Sequence, residues 1–180
     1  MKSHKRPHHR IEVSVDRVEQ LFNSMDPSPF HEKDLDHDAE EFIVGWAREF
    51  PRRDPLSLVV HVNESREDAQ HLVETAVHNY FAYRAKLTRF EFRHLLKQGR
   101  LSLVIGLAFL AFCLLTGELL LRHRSGTLPT LLRQSLTIAG WVAMWRPMQI
   151  FLYDWWPLRR TGKLYEKMSR MHVEVKKPCP

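Results

Sequence analysis

LSLVIGLAFLAFCLLTGELLL, residues Leu101 to Leu121, is the stretch on which the reading of this chain turns. It is 21 residues long, and its single charge, Glu118, lies near the far end. At about 1.5 Å of rise per residue, such a helix spans roughly 30 Å, the thickness of a bilayer's hydrocarbon core. A soluble core helix of this length would show a polar face, whereas this one offers only Ser102, Thr116 and Glu118. The stretch reads as a membrane span, and the rest of the chain is placed relative to it.

Downstream, Arg122 to Thr127 reads as a short external turn, and Leu128 to Pro147 (LPTLLRQSLTIAGWVAMWRP) as a second span. Arg133 and Arg146 are its difficulty, because an arginine at mid-bilayer costs about 2.5–3.5 kcal/mol. They stand 13 residues apart, so both can snorkel towards opposite surfaces. This register sets Arg133 across from Glu118 and predicts that the two pair. Trp145, Tyr153, Trp155 and Trp156 read as interfacial belt residues together with Arg146.

Upstream, Ile11 to Val15 alternates apolar and polar side chains, as does Leu56 to Val62, and His172 to Lys176 alternates again. These are three half-buried strands. Between the first two, Ala39, Phe42, Ile43, Trp46, Ala47 and Phe50 fall on one helical stripe over 38–50. Asp34, Asp36 and Asp38 have the spacing of a calcium loop's start, but Ala39 and Gly45 stand where that loop needs its glycine and its glutamate. A helix start, capped by Asp36 or Asp38, accounts for them better. Asp26 to Phe30, with two prolines, reads as a stiff connector. Ser65 and Asp68 suggest the cap of a long helix whose apolar face is Ala69, Leu72, Val73, Ala76, Val77 and Tyr80. From Tyr80 to Arg100 this helix turns aromatic and basic, in keeping with a head-group layer. His71 and His78 read as solvent-facing.

The expected architecture is therefore α+β: a transmembrane hairpin of two helices inserted within a small cytoplasmic domain of about three short strands and two to three helices. Its parts are a disordered basic tail (1–10), the domain with its long helix (11–100), the span 101–121, the turn 122–127, the span 128–147, an interfacial or cytoplasmic helix (148–170), a strand completing the domain (171–176) and a tail (177–180). Six Lys or Arg lie between Arg84 and Arg100 and five between Arg159 and Arg170, against Arg122, Arg124 and Arg133 between the spans. That bias places both termini in the cytoplasm.

The net charge of +6 is absorbed by the same residues beside the apolar stretches, so no nucleic-acid partner is inferred. The bilayer is the expected partner, joined by a protein partner or a second copy meeting the cytoplasmic domain. Cys113 and Cys179 lie too far apart in sequence to suggest a disulfide framework or metal pair. The sequence holds no phosphate loop, nucleophile elbow or dinucleotide fingerprint. No catalytic residue, metal ligand or cofactor is assigned.

LFNSMDPSPFHEKDLDHDAEEFI (21–43) and GWVAMWRPMQIFLYDWWPLRR (140–160) resemble segments from a family of small, uncharacterised bacterial inner-membrane proteins. The resemblance covers roughly 11–176. It implies a bacterial cytoplasmic membrane and carries no activity or site residue with it. The functional reading is a non-enzymatic membrane protein tethering a small domain for protein interaction or regulation. Its alternatives are a subunit of an oligomeric transport or channel-like assembly, and a membrane-bound enzyme of unrecognised type.

Overall fold

A computed structural model of the chain describes residues 9–25, 27, 33–51, 54–64, 68–123 and 126–177. The basic stretch 1–8, most of the connector 26–30, the Ser65 cap, residues 124 and 125 of the turn and the final residues 178–180 lie outside them. The chain divides into two compact units. One combines the sequence up to Thr88 with Arg160 onward; the other is Arg89–Arg159.

The first unit is built on three parallel strands, β1 (His9–Arg17), β2 (Leu56–Glu64) and β3 (His172–Lys176), in the order β1-β2-β3. His9 pairs with Leu56 and Val15 with Val62, while Ser57 pairs with His172 and His61 with Lys176. Parallel strands cannot be joined by a tight turn and need a crossover. Between β1 and β2 the crossover is a 3-10 turn (Val18–Leu21) followed by α1 (His37–Glu49). Between β2 and β3 it is the whole run from α2 (Ala69–His123) to α5 (Trp155–Met168). The α+β expectation is corrected on this point: every strand pair is parallel and helix-connected, which is an α/β arrangement.

The alternation seen in the sequence makes the sheet one-sided. Ile11, Leu58, Val60, Val62 and Val173 are buried on one face and join Ile43 and Ala47 of α1, Val73, Val77 and Phe81 of α2, and Tyr165 and Met168 of α5 in a single core. Each such side chain, fully buried, contributes about 1.5–3 kcal/mol. The other face carries Arg10, Glu12, Ser14, His61, Glu174 and Lys176, with Val59 buried in register between Glu12 and Glu174.

The helix stripe of α1 is rotated from the one expected. Ile43, Val44 and Ala47 are its buried residues, and Phe42 and Trp46 are each 46% exposed. The six-residue stripe was too wide for one helix to bury against this sheet, so one flank stays outside. His78 is not a free surface histidine either, since its Nε2 lies 2.7 Å from the Met171 carbonyl oxygen.

In the second unit the principal correction concerns the membrane. α2 is one continuous helix of 55 residues, and its apolar part has a mean hydropathy of 2.1 over 18 residues with 17% of that window buried. Among the described residues it is the one helix long and apolar enough to cross a bilayer. The expected second span is not such a helix, so the transmembrane hairpin is withdrawn. α3 (Thr127–Ala143) has only 17 residues and carries Arg133 inside it. That is short of the roughly 20 apolar residues a span requires. The helix breaks at Met144; Arg146 and Pro147 belong to the short α4 (Trp145–Gln149), and a π-helical turn (Ile150–Asp154) precedes α5.

Glycines set how closely α2 and α3 approach. A Cβ on Gly140 would come within 2.7 Å of Leu110 Cδ1, and one on Gly106 within 3.2 Å of the Ala143 carbonyl oxygen. Gly117 faces Arg133 in the same way. These pairings place the two helices antiparallel.

Val173 of β3 and Met171 just before it close the first unit's core, both nearly inaccessible. A chain ending at Arg170 is expected to lose cooperative unfolding of the α/β unit, read as a flattened thermal transition by near-UV circular dichroism in detergent. A full-length-like transition from that truncated chain would show that the two-strand sheet suffices.

Candidate functional site

The best-built polar cluster among the described residues is in the α/β unit, where three helices meet. Asp36 caps α1 by accepting a hydrogen bond from the Asp38 N–H at 3.1 Å. One turn further on, Glu40 shares the buried side of the helix with Ile43, Val44 and Ala47, at spacings of three, four and seven. An acid in that position needs partners, because an unpaired buried carboxylate is costly.

The partners come from α2 and α5. Tyr80 Oη donates to Glu40 Oε2 at 2.7 Å, and Arg84 Nε donates to Glu40 Oε1 at 3.0 Å. A second Arg84 nitrogen lies 2.9 Å from the same oxygen. Tyr165 Oη donates to Glu40 Oε1 at 3.3 Å and accepts from Arg84 at 3.3 Å. The Arg84 guanidinium also stands over the Tyr165 ring, 5.4 Å from its centroid. Tyr80 and Arg84 meet Glu40 together because residues four apart share a helix face. Just below them, Gly162 of α5 packs beside Thr88 of α2.

Burial, and then the hydrogen bond to Glu40, push the Tyr80 phenol well above its ordinary value of 10.0. Both carboxylate oxygens of Glu40 are occupied by these neighbours. The cluster is thus a closed knot that ties α1, α2 and α5. Local pattern does not reveal it: Tyr80 falls on the apolar face of its helix, Arg84 in the aromatic and basic stretch, and Glu40 in the acidic first turn of α1. The legible signal was the acid at core spacing on α1.

The residues singled out from the sequence lie in the second unit. Arg133 stands 3.5 Å from Glu118 Oε2, so the structure brings these two together, with side chains 51% and 75% exposed. The pair borders an open groove of about 910 Å³ lined also by Leu114, Thr130, Gln134 and Thr137. Such an exposed pair is worth at most about 1 kcal/mol in water. Arg146 does not stand alone as a snorkelling cation: it pairs with Asp154 at 3.3 Å. Trp145, Tyr153 and Trp156 are exposed. Trp155 is half-buried, donating from Nε1 to the Phe151 carbonyl at 2.8 Å within the same helical run, with Arg159 over its ring.

A second groove, of about 510 Å³, lies in the α/β unit between Leu56 and the basic side of α5. Two of the cations that line it are engaged: Lys167 donates to the Pro51 carbonyl, and Arg170 pairs with Glu166. Burial lowers the Lys167 pKa, an effect partly offset by Asp54.

No family model, curated protein or solved structure matches the chain.

Replacing Glu40 by Ala leaves Tyr80, Arg84 and Tyr165 without their shared acceptor. The expected loss is about 2 kcal/mol, below the roughly 3–5 kcal/mol of a broken fully buried pair because Arg84 is 39% exposed. Urea unfolding of the full chain in detergent measures it. The Tyr80 phenol also sets a pH dependence. Below about pH 10 both the folded and unfolded states keep its proton. Above that, the unfolded chain ionises while the folded one holds the proton, so stability falls as pH rises. Tyr80→Phe is expected to flatten this alkaline slope in a pH series of unfolding midpoints.

Proposed function

We propose that this protein is a non-enzymatic membrane protein that holds a small α/β interaction module at a bilayer surface. The observation that carries the reading is the run of exposed apolar side chains on α2. Leu101, Val104, Ile105, Leu107, Phe112, Leu115 and Leu119 are each 57% to 72% exposed. A contiguous apolar surface of this extent is unstable in water and is suited to lipid.

The polar chemistry supports a binding role over a catalytic one. Glu40, Tyr80, Arg84 and Tyr165 satisfy one another instead of converging on an open cavity, and reactive groups usually line a cleft. The basic residues near 84–100 and 159–170 favour the cytoplasmic side for the module, by the positive-inside bias and attraction to anionic head groups. A bacterial cytoplasmic membrane is the setting that the resemblance of 21–43 and 140–160 suggests.

Membrane retention tests the reading. Wild-type protein should stay in the pellet after alkaline carbonate extraction. Val104→Asp combined with Leu107→Asp puts two acids on the apolar surface at about 3 kcal/mol each. The double variant should shift to the supernatant or an aggregated fraction. A wild-type chain released by carbonate would sink the proposal.

A further inference from the structure

The two edges of the sheet differ. At β3 the edge is closed by a side chain acting as a short strand: Gln70 Nε2 donates to the Val173 carbonyl at 2.7 Å, and its Oε1 accepts from the Val175 N–H at 2.6 Å. At β1 the His9 N–H bonds the Pro55 carbonyl, so the odd-numbered residues turn their backbone groups towards β2. The backbone groups of Arg10, Glu12, Ser14 and Asp16 therefore point outward. Gln20 Oε1 accepts from the Asp16 N–H at 2.9 Å; no described residue pairs with the backbone of Arg10, Glu12 or Ser14.

The core is also open on this side. Val60 and Val62 of the central strand are sealed, while Val13 and Val15 of β1 are only partly covered. The uncovered flank of α1, away from Glu40 by helical spacing, reaches β1 at His9. There Phe42, Trp46 and Phe50 form a chain of ring contacts 6.2 and 6.4 Å apart, and Phe50 stacks on His9 of β1 at 4.4 Å. An edge unpaired at Arg10, Glu12 and Ser14 among the described residues, flanked by half-covered valines, thus meets the chain of aromatic rings at His9.

We infer that this surface is the dimerisation site of the α/β unit, and that its occupant is β1 of a second copy, antiparallel and centred on Val13. The charge pattern selects this partner and register. Of the registers that pair outward-pointing residues, the one centred on Val13 overlaps the whole strand. It sets Arg10 against Asp16 and Glu12 against Ser14, each twice; because Gln20 already holds the Asp16 N–H and Asn63 its Oδ1, the two Glu12–Ser14 pairs carry the ladder and Arg10 adds charge attraction to Asp16. On the core side it sets Ile11 against Val15 and Val13 against Val13. Shifting the centre to Glu12 would put Glu12 against Glu12, and like charges directly opposed destabilise a strand pair. The product is a continuous six-stranded sheet, in which each copy supplies the strand the other lacks. The two-fold symmetry also brings the two aromatic flanks towards each other.

The inference rests on the module being an interaction domain, and the test separates the two. In a background of Cys113→Ala and Cys179→Ala, the full chain in isolated membranes is treated with a mild oxidant. Opposed residues in a non-hydrogen-bonded antiparallel pair have Cα atoms about 4.5 Å apart, within disulfide range. Val13→Cys should therefore give about tenfold more disulfide-linked dimer than Glu12→Cys, whose symmetry mate is displaced along the strand. Equal yields, or more from Glu12→Cys, overturn the register. A photo-crosslinking residue at Ser14 reads the occupant directly without relying on either cysteine variant. A homodimer adduct supports self-pairing. An adduct only to another protein overturns self-pairing and leaves the interaction module standing. No adduct at all overturns both.

Discussion

Parallel pairing of the central strand with both its neighbours is the constraint on which the first unit depends. β2 can lie parallel to β1 only if a helix carries the chain back, and α1 does so. It can lie parallel to β3 only if the much longer path through α2 to α5 does the same. The sheet is therefore assembled from the two ends of the chain, with the whole second unit contained in one crossover connection. Tyr165, Met168, Met171 and Val173, all late in the sequence, complete a core that Ile11 begins. Such long-range closure costs chain entropy before its contacts form, and the buried valines of β2 must offset that cost.

The Glu40 knot meets the same need by other means. Apolar packing among helices is tolerant of sliding, whereas a carboxylate shared by two tyrosines and a guanidinium is satisfied in only one arrangement. Glu40 comes from the short crossover, Tyr80 and Arg84 from the start of the long one, and Tyr165 from its end. The cluster checks that both crossovers have docked. Its energetic worth is moderate, since pairing offsets desolvation that folding itself imposes. Its orientational worth is larger, because leaving any one partner unsatisfied is penalised.

A parallel sheet covered on only one side is uncommon, because crossover helices usually protect both faces. Here the open face is made compatible with water by Arg10, Glu12, Ser14, His61, Glu174 and Lys176, with ion pairs such as Lys176–Glu174 at 3.1 Å. The two edges are treated unequally, one stoppered by Gln70 and one bearing alternating charge. In the second unit, Gly106, Gly117 and Gly140 let α2 and α3 approach closely, with Ala143, Arg133 and Leu110 standing where a Cβ would crowd them.

Local pattern was enough to locate the three strands, the α1 segment and the apolar stretch of α2. Each is set by a periodicity of two or near 3.6 that one face of an element must satisfy. The same patterns placed Glu118 within reach of Arg133. They did not determine that the strands run parallel, because alternation is blind to direction, nor which flank of α1 would remain outside. They also suggested a second span where the helix breaks at Met144 and enters a π-helical turn, since composition does not register a change of helical geometry. By itself, then, the sequence determined which segments are strand, helix or apolar, because those choices are made within a few turns of chain. Only the tertiary structure decided that Glu40, Tyr80, Arg84 and Tyr165 meet and that β1 stands at an edge of the sheet. Those outcomes depend on how distant segments pack, and no periodicity within a segment encodes its neighbours.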